Sequence, residues 1–296
     1  MKQEIITYIS TFSDMLFDVS KYIHDNPEES FHEHKACNYV VNILKQYNFK
    51  VTTNYLQMAT SFYAEYGSNH PRICYLCEYD AIKDKGHVTG HNLVTSMSLG
   101  AAIGLTKIID KIGGSVVIIG CPGEYLGGSK ATMVKQGTFN DIDIVLMAHP
   151  DVDTYESGTS SALLPLCINY KNSNKTNDID NGVYSALDAC LFTLTGIKEL
   201  IKGFPTDIKL DGFIASGGII PNIEPSEANA KFYIRTCDCS SAQSVETKIK
   251  EFIKTTAYLM NIEGEVSLCN LPHKELITNK VLSRIFSHNL KENGII

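Results

Sequence analysis

Residues able to do chemistry concentrate at the ends of three short apolar runs. The run Ile73–Cys77 turns polar at Glu78 and Asp80 and leads to His87 and His91. The run Ser115–Cys121 leads to Pro122-Gly123-Glu124, and Ile144–Ala148 leads to His149-Pro150. Imidazoles and carboxylates are the usual oxygen and nitrogen donors for a divalent metal, and a carboxylate at a strand end can also act as a general base. Short apolar runs bounded by polar turns read as buried strands, and α/β proteins collect ligands at the carboxyl ends of such strands. Asp80, His87, His91, Glu124 and His149 are therefore expected around one crevice. Other readings stand beside this one: structural histidines in a polar crevice, or Glu124 as a cap for the helix expected near Lys130. His87 and His91 would share a helix face, but Gly86 and Gly90 favour a loop. The sequence carries no P-loop, G-x-G-x-x-G or G-x-S-x-G pattern.

The elements that must position these residues follow from periodicity. Helical spacing runs from Ile5 to His24 and stops at Asn26-Pro27, and Ser30 with Glu33 forms a possible capping box before a helix at Ala36–Tyr47. Two extended segments lie between Val51 and Tyr66. A helix is expected over Asn92–Ile112, ended by Gly113-Gly114. Strands alternating with helices imply a mostly parallel sheet covered on both faces. After the turn Ser157–Ser161, strands at Leu163–Lys171, Ile208–Ala215, Ala228–Thr236 and Glu263–Leu271 interleave with helices at Val183–Lys202 and Ser241–Asn261. That β-α-β-β-α-β order is a split βαβ unit with its own sheet. The expected fold class is α/β, with a first α/β domain of residues 1–162 and 272–296 and a smaller α+β domain of residues 163–271.

The chain has 296 residues, enough for two domains, and a formal net charge of −7, which disfavours a nucleic-acid partner. No apolar run is expected to reach the length of a membrane span, and the N-terminus lacks signal-peptide regions, so a cytoplasmic location without a membrane partner is expected. The nine cysteines read as reduced, packed thiols. Cys74 and Cys77 have metal-like spacing, but on a strand they face opposite ways.

Several motifs carry a resemblance. Cys77-Glu-Tyr-Asp-Ala81, Gly86-His-Val-Thr-Gly-His-Asn92, Pro122-Gly-Glu124 with Gly127-Gly128, and Met147-Ala-His-Pro150 resemble the amidohydrolase branch of the zinc aminoacylase and carboxypeptidase family. His24-Asp-Asn-Pro-Glu28 with Glu33-His34-Lys35 is similar to its N-terminal signature, and Ala186-Leu-Asp-Ala189, Gly217–Asn222 and Arg235 are similar to its lid domain. The resemblance implies a catalytic α/β domain with an inserted lid that often dimerises. It also implies hydrolysis of amide bonds in dipeptides or N-acyl amino acids, with two zinc or similar ions as cofactors.

Carried over residue by residue, the resemblance makes Glu124 the general base, His91 and His149 metal ligands, and Asn222 and Arg235 substrate contacts. It also exposes departures. Thr89 stands where the family has a bridging cysteine, and Tyr125 where it has a second glutamate ligand. The lid histidine position falls near Thr176, and the last histidine ligand has no counterpart in this sequence. Neither a threonine hydroxyl nor a tyrosine phenol is ionised near neutral pH. The expectation is a truncated family member with an eroded metal site, doubtful zinc binding and little or no activity. Two alternatives are a non-catalytic protein that binds or dimerises, and a decayed gene product. Truncation is further expected to leave an unpaired sheet edge and low solubility.

Overall fold

Packing divides the chain into two units, Met1–Asp153 and Thr154–Ile296. The computed structural model describes residues 1–155, 157–173, 184–205 and 207–295. Most of the polar loop expected over 171–181, including Thr176, lies outside the described residues.

The first unit opens with α1 (Lys2–Ser10), α2 (Ser13–Asp25) and α3 (His34–Gln46). Periodicity predicts one helix over Ile5–His24, but the chain breaks at Thr11–Phe12. The Thr11 hydroxyl donates back to the Tyr8 carbonyl at 2.6 Å, a local bond that competes with the helix ladder. The break buries Phe12. The capping box does not form either. Glu33 precedes α3 without a side-chain cap bond and instead turns inward, accepting from the Thr60 hydroxyl at 2.7 Å and the Gly123 N–H at 2.8 Å. Glu28 takes over the capping, accepting from the N–H groups of Lys35 at 2.8 Å and Ala36 at 3.0 Å. Free N–H groups in a first turn need such an acceptor.

The sheet of this unit contains β1 (Lys50–Thr53), β2 (Phe62–Gly67), β3 (Arg72–Cys77), β4 (Ser115–Gly120) and β5 (Ile144–Leu146), in the order β1-β2-β4-β3-β5. β4, β3 and β5 form the expected parallel part; β2 runs antiparallel to β4 and pairs β1 as a flanking hairpin. Every residue of β4 is buried, because the sheet is covered on both faces. Val116 and Ile118 pack with Val19, Ile23, Leu44 and Leu99. Val117 and Ile119 pack the other way with Leu76, Cys121 and Met133. Cys74 and Cys77 separate onto these two sides, as strand alternation requires.

α4 (His91–Ile112) lies on the first side and α5 (Lys130–Lys135) contributes Met133 to the second. By length and composition α4 is apolar enough to cross a membrane, contrary to the expectation that no run reaches that length. Most of it is buried within the fold, which is the environment of a core helix.

The second unit contains β6 (Ala162–Lys171), α6 (Ala186–Ile201), β7 (Lys209–Ser216), β8 (Glu227–Thr236), α7 (Cys239–Met260), β9 (Glu263–Leu268) and α8 (Lys280–Glu292). Its antiparallel sheet has the order β7-β8-β6-β9. Alternate residues of β6 and β8, such as Leu166, Ile168, Phe232 and Ile234, meet Ile197, Val245 and Ile249 of α6 and α7 in a separate core. The β-α-β-β-α-β order matches the sequence pattern. The grouping differs from the sequence boundaries in the flanking segments. Leu163 pairs with His273, and the Ser160 N–H donates to the Leu276 carbonyl at 3.1 Å, so both flanks join the second unit.

Two glycines of α4 permit close helix packing in the first unit. A Cβ on Gly100 would sit 2.8 Å from Leu16 of α2, and one on Gly104 would sit 2.7 Å from Ile9 of α1. Gly100→Val is expected to cost about 1–3 kcal/mol through overpacking. Urea unfolding of the full chain measures this, and an unchanged midpoint for the first unit would contradict the close approach.

Candidate metal centre

The turn after β3 carries Glu78 and Asp80, and the first turn of α4 carries His91. The loop after β5 carries His149. His91 Nδ1 lies 3.0 Å from the Asp80 carbonyl and 2.7 Å from Asp80 Oδ1. A carbonyl oxygen can only accept, so Nδ1 is the donor and, in the neutral ring, Nε2 keeps its lone pair. His149 repeats the arrangement, with Nδ1 2.8 Å from the Pro150 carbonyl. The two free Nε2 atoms converge on one carboxylate oxygen: Glu78 Oε2 lies 3.4 Å from His91 Nε2 and 3.9 Å from His149 Nε2. Ligand atoms of Glu78, His91 and His149 all lie within 4.8 Å of one another. Metal-binding histidines characteristically donate their other ring nitrogen to an oxygen, which fixes tautomer and orientation. The donor set therefore fits one divalent ion. Gly90 brings the two loops together, with φ of +80° and a Cβ position only 2.8 Å from the Pro150 ring, so it has no room for a side chain.

Asp80 is not a further ligand. Its oxygens accept from His91, from the Ser30 hydroxyl at 2.7 Å and from the Tyr125 N–H at 3.2 Å. Burial raises the Asp80 carboxyl, but the bonds from His91, Ser30 and the Tyr125 N–H outweigh it and hold it below its ordinary value. Burial likewise opposes the His91 imidazolium, and Asp80 and Glu78 outweigh it, so that pKa is raised.

Lys130 sits across the cluster. Its ammonium contacts Glu78 Oε1 and lies 2.7 Å from Glu124 Oε2. Burial works against this charge, while Cys121, Glu124 and Glu78 favour it, and the pKa is raised. Burial pushes Glu124 up, against the pull of Lys130, and Glu124 Oε1 is buried without a hydrogen-bond partner among the described residues. Thr89 and Tyr125 are hydrogen-bonded to each other. The Tyr125 ring stacks on His91 with centroids 4.8 Å apart.

Five residues expected around one crevice thus separate into roles in space. His91 and His149 converge, Asp80 orients His91, and Glu124 reaches the cluster through Lys130. His87 does not join it. His87 is buried, neither ring nitrogen has a hydrogen-bond partner among the described residues, and burial with nearby His91 brings its pKa down to about 4. Glu78 completes the donor set that the sequence reading left at two clear ligands. It stood in the same stretch but had no spacing signal, because its direction depends on the turn after Cys77. Lys130 had a faint one: a cation opening a helix runs against the helix dipole. Asn222 and Arg235 belong to the second unit. Asn222 is exposed, and Arg235 on β8 lies 4.0 Å from Asp211.

The first unit is thus an α/β unit with a His-His-Glu cluster after its strands, followed in the chain by a split βαβ unit. No protein-family model matches the chain. It is 26% identical over 312 residues to the Xaa-Arg dipeptidase of Mus musculus, a match covering 100% of this chain and 72% of the relative. It is 28% identical over 265 residues to one of the p-aminobenzoyl-glutamate hydrolase subunits of Escherichia coli strain K12, covering 82% of this chain and 55% of the relative. A dinuclear metal-binding peptidase of the M20 family from Bacillus subtilis superposes with a TM-score of 0.69 at 17% identity, over 96% of this chain and 81% of that one. The chain is a relative of the amidohydrolase branch of the zinc aminoacylase and carboxypeptidase family.

The Asp80–His91 pair makes a pH-dependent prediction for chelator-treated protein. The raised His91 pKa contributes stability that is full below its unfolded value of about 6.5 and is lost as pH rises through the folded value. The lowered Asp80 pKa contributes stability present above its unfolded value of about 3.9 and lost as pH falls through the folded value. Asp80→Asn should therefore destabilise most between about pH 4 and 6.5 and should lower the His91 pKa in an NMR titration. A His91 titration left unmoved would refute the orienting role.

Proposed function

We propose that the chain is an amidohydrolase-type protein whose substrate class is dipeptides or N-acyl amino acids, with a depleted metal site and little or no turnover. Glu124 is the general base, His91 and His149 are ligands of zinc or a similar divalent ion, and Asn222 and Arg235 are substrate contacts. The substrate class rests on the relatives, one an Xaa-Arg dipeptidase and one part of a p-aminobenzoyl-glutamate hydrolase. Depletion rests on a single observation: Thr89 and Tyr125, where the family has two charged ligands, bond to each other instead.

A divalent ion, when bound, lowers the pKa of a water to about 7 and polarises the amide carbonyl. Glu124 would take a proton from the attacking water and return it to the leaving nitrogen. Its unpaired Oε1 is suited to that task, while Oε2 is held by Lys130. The Thr89–Tyr125 pair supplies no charge to hold a second ion. Dimerisation through the second unit also belongs to this reading. Its outer strands β7 and β9 carry exposed Phe213 and Leu268.

Purified chain supplied with zinc, cobalt or manganese should hydrolyse neither N-acyl amino acids nor dipeptides above the rate of Glu124→Ala. Metal-dependent turnover that vanishes in Glu124→Ala would replace this reading with that of an ordinary hydrolase. Sedimentation equilibrium should detect a dimer, and a monomer at high concentration would remove the dimerisation proposal.

A further inference from the structure

We infer that this chain binds a single divalent cation of the zinc or cobalt type at Glu78, His91 and His149, and that the Lys130 ammonium is the second positive charge of the site. The inference rests on the reading of the cluster as a metal centre but concerns ion number and affinity, not turnover.

Three observations carry it. The first is the donor geometry. Ligands about 2.0–2.1 Å from a tetrahedral ion lie roughly 3.3–3.5 Å apart. The Glu78–His91 edge of 3.4 Å already has that length, and the Glu78–His149 edge of 3.9 Å needs only a small inward movement. His149 can supply the movement, since it sits on a loop with its side chain 39% exposed, whereas Glu78 and His91 are each 5% exposed. Two imidazoles and one carboxylate form a donor set that zinc accepts, with the fourth position open.

The second observation is the filling of the neighbouring space. A second ion needs further charged ligands near the first. Thr89 and Tyr125 face each other there as neutral hydroxyls, each using the other as partner, and the Tyr125 ring covers one face of His91.

The third is Lys130 itself. Two nearby carboxylates in a partly buried site repel one another unless a cation lies between them. Here the ammonium touches both Glu78 and Glu124, joining the carboxylate that faces the histidines to its neighbour. A protein cation thus occupies the bridging role, and it competes with a divalent ion for Glu78. Removing it should strengthen binding of the single ion.

The test uses the full chain, stripped with chelator and equilibrated with zinc or cobalt chloride, with bound metal counted by mass spectrometry after dialysis and affinity measured by titration. One ion per chain is expected, and its cobalt complex should show a visible absorption band of low coordination number. Glu78→Gln and His149→Ala should each weaken binding by about a hundredfold or more, beyond what outer partners of a site contribute. Lys130→Met should tighten binding by about tenfold with the stoichiometry still one, the scale of one partly screened charge pair, while Lys130→Arg should bind as the parent does. Circular dichroism confirms that each variant is folded. Two ions per chain, no ion, or an affinity unchanged in Lys130→Met would each overturn the inference. None of these results depends on hydrolysis, so they stand apart from the turnover assay.

Discussion

The buried carboxylate of Asp80 is the constraint around which the first unit is arranged. A charge removed from water needs several donors, and Asp80 draws them from three separate parts of the chain: Ser30, His91 and the Tyr125 backbone. Satisfying it fixes the N-terminal loop, the start of α4 and the turn after β4 against the end of β3. Glu33, fully buried, does the same for the adjacent turn by accepting from Thr60 and Gly123. Burial raises the Glu33 carboxyl even though its hydrogen bonds favour the charged form. Two inward carboxylates thus hold the segment that presents Glu124 and Tyr125, so the geometry of the centre is a by-product of neutralising charges inside the fold.

The same electrostatics account for the arrangement of Lys130, Thr89 and Tyr125 around the histidines. Besides Asp80, the cluster holds the carboxylates of Glu78 and Glu124, and Lys130 compensates both. The hydroxyls of Thr89 and Tyr125 need only one another. Among the described residues of the cluster, Glu124 Oε1 has no hydrogen-bond partner, and the Nε2 atoms of His91 and His149 face Glu78.

The second unit is built on another principle. Its sheet is antiparallel, with one side of β6 and β8 packed under α6 and α7. The capping box of Ser185 and Asp188 starts α6, and Asp238 starts α7 by accepting from the Ser241 N–H at 2.7 Å. Here local signals and tertiary packing agree. In the first unit the local capping signal at Ser30 and Glu33 yields to the demand of buried charges.

Sequence alone determined the element types, their order and the division into an α/β unit and a split βαβ unit. Those rest on apolar periodicity, which each segment carries within itself. It also placed Glu124 and His149 shortly after apolar runs, while His91 opens the helix that follows the run Ile73–Cys77. The break at Thr11–Phe12, the loss of the expected capping box and the grouping of residues 272–296 depended on contacts with distant residues, so no local pattern could reveal them. Only the tertiary structure decided that Glu78 rather than Asp80 faces the Nε2 atoms of His91 and His149 and that His87 stays outside. It also joined Lys130, 52 residues along the chain, to Glu78. The physical reason is common to all three: side-chain direction after a strand end is set by which buried charge must find a partner across the fold.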